Sequence, residues 1–385
     1  MNKSYKTLVI RALILVVVIV VAGLLISNNN KSENYLQSAS KIKVGILTMT
    51  TGNLAFLGEN IVDSAKLAAE KLGRTNDVEF IVEDVGNLSV QGTEAVAAAR
   101  KLIDVDHVQF IIDGMASNGT LASAPVINEA KVVMITPLTG GQNIDEAGEY
   151  IFRNGPSDIL GATLPARDFT QKFAFKRVAL MTDNADYTLD IRNNFEKAFT
   201  GTIASDQLIK PDGVDYRIEL LKAKVAKPDV LFINTATGVS ARYVIKQARE
   251  LGITVPIVTN FLAYGPDLIS LAGKSAEEVY VYDPEYNESS RDVAALLSDY
   301  KSKYGHESPI AFHTTGTYDA LRMGLQAIDA VGYDGQKIHD YLLTNIQGWS
   351  GMNGIVSFNS QGNSGTGFIL KQIRNGKLEV VKGIN

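Results

Sequence analysis

Between Lys43 and Thr259 short apolar runs alternate with amphipathic stretches, and that alternation constrains the fold more than any other feature. "KVGIL", "VEFIVED", "VQFIID" and "VVMIT" read as strands. Between them, "NIVDSAKLAAEKLG", "TEAVAAARKLI" and "LASAPVINEA" read as helices. In the first of these helices Ile61, Ala65, Ala68 and Leu72 share one stripe, and Gly73 stands where a left-handed residue ends the turn. Strand–helix–strand alternation implies mainly parallel sheets with helices on both faces. The grammar restarts at "RVALMTD" and runs through "TLDIRNNFEKAF", "TIASDQLI", "RIELLKAKVA", "DVLFIN", "SARYVIKQARELG" and "VPIVT". Two α/β units therefore follow one another, alike in pattern rather than in residues. The last third adds amphipathic helices at "DVAALLSDYKSKYG", "TYDALRMGLQAIDAVG" and "IHDYLLTNI", then an alternating stretch, "GIVSFNSQGNSGTGFILKQIRNGKLEVV", that reads as a β-hairpin.

A chain of 385 residues exceeds what one core serves, so two lobes are expected. The net charge of −5 leaves no nucleic-acid footprint. With no cysteine, disulfides, thiolate metal sites and a cysteine nucleophile are excluded. The N-terminus differs in kind. "MNKSYKTLVIR" is basic, Ala12–Ile26 is uninterruptedly apolar, and a polar linker follows. That pattern is a secretory signal or a signal anchor, with the body outside the cytoplasm. Fifteen helical residues span roughly 22 Å, so Leu8–Ile10, with Arg11 snorkelling, are needed to cross the bilayer. An uncleaved anchor is the expectation.

No glycine-rich phosphate loop occurs, "GWSGM" is only loosely like a nucleophile elbow, and His107, His306, His313 and His339 lack metal-ligand spacing. No cofactor, metal or catalytic residue is expected, and the four histidines read as structural or surface groups. One stretch stands out. "DGMASNGTLASAP" places small polar residues where a strand hands over to a helix, which is either helix capping or a cradle of N–H groups for a ligand.

In order and spacing, "KVGILTMTTGNLAFLGENIVDSAKLAAEKL", "MASNGTLASAPVINEAKVVMITPLTG", "YIFRNGPSDILGATLPARDF", "RVALMTDNADYTLDIRNNF", "YVIKQARELGI", "YGPDLISLAG", "TTGTYDALRMGLQAIDAVG" and "GMNGIVSFNSQGNSGTGFILKQIRNGK" together resemble a known family. It is the branched-chain amino-acid (Leu/Ile/Val-binding) group of ABC-transporter substrate-binding proteins, which are type I periplasmic binding proteins. The resemblance implies two Rossmann-like α/β lobes with mainly parallel sheets joined by a three-crossing hinge. One lobe would be 42–157 with 285–366, and the other 158–284 with 367–385. Residues 1–30 would be the signal or anchor and 31–41 a linker, with the C-terminal hairpin across the hinge.

The resemblance also implies a non-enzymatic, monomeric protein that closes on a small amphipathic ligand, a branched-chain amino acid or a related carboxylate or amide. It would deliver the ligand to a membrane permease. Ser117 would meet the ligand carboxylate, with Asn118 opening the helix beside it; in the residues alone, Ser117 or Thr120 could simply cap that helix. Leu138, Thr139 and Gly140 would form the next cradle. Gly140 stands where the family has threonine, so the hydroxyl contact is lost unless Thr139 supplies it. Asp158 matches a carboxylate near the ligand ammonium, or else an N-cap. Tyr187 matches an aromatic that covers the ligand, Leu57 a wall position, and Thr237 is a further contact candidate. Phe261 stands where the family grips the ammonium with a carboxylate, which puts an α-amino acid ligand in doubt. A sensor of the same fold and an α/β enzyme remain the rivals.

Overall fold

The computed structural model describes residues 41–381, apart from 53, 88–90, 265–267, 287, 289 and 365–366. The first α/β unit comprises β1 (Ile42–Thr48), α1 (Ala55–Lys71), β2 (Val78–Asp84), α2 (Gln91–Arg100), β3 (Phe110–Gly114), α3 (Ser117–Glu129), β4 (Val133–Thr136) and β5 (Ile151–Arg153). Its strands form one sheet in the order β2-β1-β3-β4-β5, with β1–β3, β3–β4 and β4–β5 parallel. Ile46, Phe110, Ile111, Ile112, Val133, Met134 and Ile135 are all fully buried. A strand covered on both faces has no polar side to present, which is why these segments read as continuous apolar runs.

The second unit comprises α4 (Asp158–Gln171), β6 (Arg177–Asp183), α5 (Asp186–Ala198), β7 (Thr202–Ile209), α6 (Arg217–Val225), β8 (Val230–Asn234), α7 (Gly238–Glu250), β9 (Ile257–Asn260), α8 (Phe261–Tyr264), α9 (Leu268–Ala272) and β10 (Tyr280–Pro284). The chain then forms α10 (Arg291–Tyr304), α11 (Ala311–Val331), α12 (Gly335–Asn345) and the short pair β11 (Trp349–Gly351) and β12 (Gly354–Val356). It ends in β13 (Phe368–Arg374) and β14 (Lys377–Val380). The second sheet runs β14-β13-β10-β9-β8-β6-β7, parallel from β7 to β10 and antiparallel beyond.

Helix α11 packs on α1 and β3, and α12 on β4, so the segment after β10 returns to the first sheet before β13 rejoins the second. The chain thus passes from one sheet to the other after β5, after β10 and after β12. Each sheet has its own core: Leu47, Ile111 and Met134 belong to one, while Met181, Ile233 and Ile257 on one face and Leu180, Phe195 and Phe232 on the other belong to the second.

Two details differ from the sequence reading. Helix α1 begins a full turn before "NIVDSAKLAAEKLG", because Gly58 lets it press onto the end of β1; a Cβ there would lie 1.8 Å from the Met49 carbonyl oxygen. The C-terminal stretch is also not one hairpin. Its start pairs with Trp349–Gly351, and the hairpin proper is β13–β14, turned at Asn375 and Gly376 with φ of 51° and 69°. Asn-Gly is the dipeptide that accepts two successive positive φ angles. No helix among the described residues is long and apolar enough to cross a membrane. The Ala12–Ile26 run lies outside the described residues.

Candidate functional site

Strands β3 and β4 end side by side, and the loops that follow are tied to one buried carboxylate. Asp113 accepts hydrogen bonds from the Met115 amide at 2.8 Å, Thr120 Oγ1 at 2.6 Å and Thr139 Oγ1 at 3.2 Å. Burial pushes this carboxyl up and the donors pull it back, leaving it at about 6. The Thr139 hydroxyl is also 3.1 Å from the Met115 carbonyl and 3.0 Å from Thr120 Oγ1. Its proton is thus engaged within the protein.

Helix α3 opens after Ala116 with no side-chain cap, which sets the capping alternative aside. Thr120 turns to Asp113, and Ser117 Oγ accepts from the Gly141 amide at 3.2 Å. The first turn of a helix carries N–H groups without intrahelical acceptors, so this end is suited to an anionic oxygen.

Asp158 is the first residue of α4, after Ser157 at the N-cap position, and that helix too has no side-chain cap. Its amide donates to the Gly140 carbonyl at 2.7 Å, which lays its carboxyl over the glycine. A Cβ at position 140 would sit 2.4 Å from Asp158 Oδ1. A side chain at position 140 would therefore have to displace the Asp158 carboxyl. Burial raises the Asp158 carboxyl to about 7, with Arg153 opposing and Asp190 adding to the shift. The Arg153 guanidinium is held by Asp145 and reaches the Gly140 carbonyl at 3.4 Å.

The second sheet supplies the facing wall from its own strand ends. Asn260 donates to Asn234 Oδ1 at 2.9 Å and to the Thr235 carbonyl at 3.1 Å, while Asn234 donates to the Thr188 carbonyl at 2.7 Å. Asn260 Oδ1 receives the Ala263 amide, so the same pair of asparagines fixes α8 and with it Phe261 and Leu262. Tyr187 and Asp190 stand one turn apart on α5. The Tyr187 hydroxyl is buried without a hydrogen-bond partner among the described residues, and burial together with Asp158 pushes its pKa well up.

These elements enclose a cavity of 510 Å³, a size suited to a small molecule. Leu57, Ser117, Asn118, Leu138, Thr139, Gly140, Asp158, Tyr187 and Phe261 all line it. Thr237 does not: as the residue before α7, it donates its hydroxyl to Asp212 at 2.9 Å, and its neighbour Ala236 takes the wall position. Parallel sheets bind ligands at the carboxyl ends of their strands, where all of these loops lie.

Sequence reasoning missed Met49, Leu54, Ala116, Leu121, Gly141, Ala185, Asp190, Leu262 and His313, which with Ala236 complete the lining. Asp190 had a signal, since it lies three residues after Tyr187 on one helix face. His313 was read as a structural or surface group. It is 2% exposed and arrives from α11, with its ring edge-on to Phe261 at 6.5 Å. Among the described residues no cluster of His, Asp or Glu is placed to hold a metal.

Comparison with known proteins agrees with this architecture. Residues 41–376 match the family described as periplasmic binding protein. The Leu/Ile/Val-binding protein BraC3 of Rhizobium johnstonii is 23% identical over 242 residues, 59% of this chain and 65% of that protein, so the match spans a little under two thirds of the relative. The crystal structure of a leucine-binding protein, LivK, from Thermotoga maritima is 27% identical with a TM-score of 0.77, over 88% of this chain and 97% of that one. A solute-binding protein of an ABC transporter from R. palustris, solved with 4-hydroxybenzoate, shares the fold with a TM-score of 0.76 at 21% identity, over 89% and 96%. With two mainly parallel sheets, a thrice-crossing chain and a family match over almost the whole described body, the chain belongs to the periplasmic binding protein family.

Proposed function

We propose that this chain is an extracytoplasmic solute-binding protein that captures an α-amino acid with an apolar body and hands it to the permease of an ABC transporter. The lobes in this reading are 42–157 with 285–366, and 158–284 with 367–385. They close on the ligand, and the permease reads the closed state. The run Ala12–Ile26 holds the protein to the outer face of the membrane, which N-terminal sequencing of the mature protein tests against cleavage.

One observation carries the choice of ligand: Asp158 and Asp190 line the same cavity and act on one another electrostatically. An ammonium shut into a cavity without a counter-charge is costly. Phe261 removes the carboxylate expected there, and Asp190 offers another from α5. Ser117 and the start of α3 receive the ligand carboxylate, while Met49, Leu54, Leu57 and Phe261 receive its body. An aromatic carboxylate lacking the ammonium is the second reading, favoured by Phe261 and by the 4-hydroxybenzoate held in the R. palustris protein.

Calorimetric titration of the full chain with leucine, isoleucine, valine, phenylalanine and tyrosine, and with their des-amino counterparts, decides between the two. The proposal expects an amino acid to bind and Asp158→Asn to weaken it by about tenfold or more, as for a lost charged hydrogen bond. Binding of the des-amino acids alone would establish the second reading, and binding of neither would overturn both.

A further inference from the structure

We infer that Gly140 and Gly141 are positioning residues for the two ends of the ligand's head group. Gly141 sets the Ser117 hydroxyl at the carboxylate end, and Gly140 sets the Asp158 carboxyl at the ammonium end. These roles rest on the head-group reading above and add what holds its two contacts in place. Both contacts are open to a ligand. Ser117 is half-buried at the cavity, and its Oγ accepts from the Gly141 amide at 3.2 Å. Its own proton goes to no acceptor among the described residues, which leaves it for a ligand oxygen. Asp158 is 6% exposed and lines the cavity. Its carboxyl oxygens accept no hydrogen bond among the described residues, yet neither is shut from solvent.

Consecutive glycines often answer to a backbone that needs positive φ. These do not: Gly141 stands at φ −55° and ψ 150°, and neither glycine lies in the left-handed region. What a side chain would contest is the space beside them. A Cβ at position 140 would lie 2.4, 2.7 and 2.9 Å from Asp158 Oδ1, Cγ and Oδ2. One at position 141 would lie 2.6 Å from Ser117 Oγ and 2.9 Å from its Cβ, with Ile144 next at 4.0 Å. The backbone is tied down on the same side. The Gly140 carbonyl accepts from the Asp158 amide at 2.7 Å and from Arg153 at 3.4 Å, and the Gly141 amide is held by Ser117. A methyl at either position therefore moves the side-chain end it meets. Two adjacent residues thus act on opposite ends of one ligand.

The test is calorimetric titration of the full chain with leucine and phenylalanine in two double-variant cycles. One pairs Gly141→Ala with Ser117→Gly, and the other pairs Gly140→Ala with Asp158→Ala. Each glycine variant alone should weaken the amino acid about tenfold, as for one displaced hydrogen bond to a charged group. Where its partner is already removed, it should weaken binding by less than about twofold. Across the pairs, Gly141→Ala with Asp158→Ala and Gly140→Ala with Ser117→Gly, the losses should multiply. A merely deformed turn would damage both ends from either position. Crossed coupling, or a glycine variant that binds as wild type does, therefore overturns the positioning roles while leaving the head-group reading intact. Denaturant melts supply a second readout, because alanine for glycine at an unstrained backbone should hold or raise stability once the partner is gone. Stability lost there would show that the turn itself rejects a side chain, and also overturns the roles. If Ser117→Gly and Asp158→Ala bind amino acid as wild type does, the head-group reading fails and these roles with it. Both fall as well if wild type binds neither amino acid.

Discussion

Asp158 carries a conflict between burial and charge, and its resolution is measurable. A carboxyl ordinarily titrates near 3.9, and here it sits at about 7. Between those values the folded state keeps a proton that the unfolded chain has released, so stability falls as pH rises across that window. Asp113, Asp183 and Asp319, each at about 6, act in the same direction, whereas neutral His313 acts in the opposite one below about 6.5. The difference between wild type and Asp158→Asn isolates one group: in urea melts from pH 5 to pH 8 the variant should lose less stability, by on the order of 2–3 kcal/mol. Ligand binding adds a second sign. An ammonium prefers the ionised carboxylate, so amino-acid affinity should rise with pH through about 7, and a flat or falling titration would point to a ligand without that charge. Gly140 is the companion position. Gly140→Thr restores the family hydroxyl but drives its Cβ into Asp158, and should cost about 1–3 kcal/mol in thermal melts, as overpacked sites do.

At the scale of elements, the second wall depends on two side chains that never reach the ligand. Asn234 and Asn260 join the ends of β8 and β9 to α5 and α8. Asn260→Leu would strand the Ala263 amide and the Thr235 carbonyl, a loss of about 2 kcal/mol in denaturant unfolding. It should also loosen Phe261, so ligand affinity should fall although no contact is touched; unchanged affinity would show α8 to be held by packing alone. The elements themselves were legible, because twice-covered parallel strands leave continuous apolar runs and Asn375-Gly376 announces its turn. The loops after β3 and β4 were legible as site candidates for the same reason: their strands end there. The fates of the hydroxyls were not. Nothing local says that Thr139 turns inward to Asp113, or that Thr237 turns to Asp212, since both partners are fixed by tertiary packing. His313 was hidden because it returns from α11, in a segment with no motif, to a cavity built elsewhere in the chain.

At the scale of the whole molecule, the crossing after β10 brings Tyr286 and Glu288 to a buried cation. Lys371 on β13 is 3% exposed; its ammonium meets Asp283 on β10 at 2.6 Å and Glu288 in the crossing, and lies 5.0 Å from the Tyr286 ring centre. The ion pair joins β13 to β10, the strand from which the chain departs for the first sheet, and to Glu288 just beyond it. A buried pair adds little over apolar neighbours of the same shape, but breaking one side leaves an unmatched charge and costs about 3–5 kcal/mol. Lys371→Met should therefore destabilise strongly, and Lys371→Met with Asp283→Asn should recover part of that loss, because the stranded carboxylate is removed. Denaturant melts of the two single variants and the double variant test this. Additive losses would mean that Lys371 acts through Glu288 and Tyr286, holding the crossing segment itself. A coupling of 1 kcal/mol or more, the scale of neighbouring charged groups, would place its role in the β10–β13 strand pair, with the crossing following from where that pair is held.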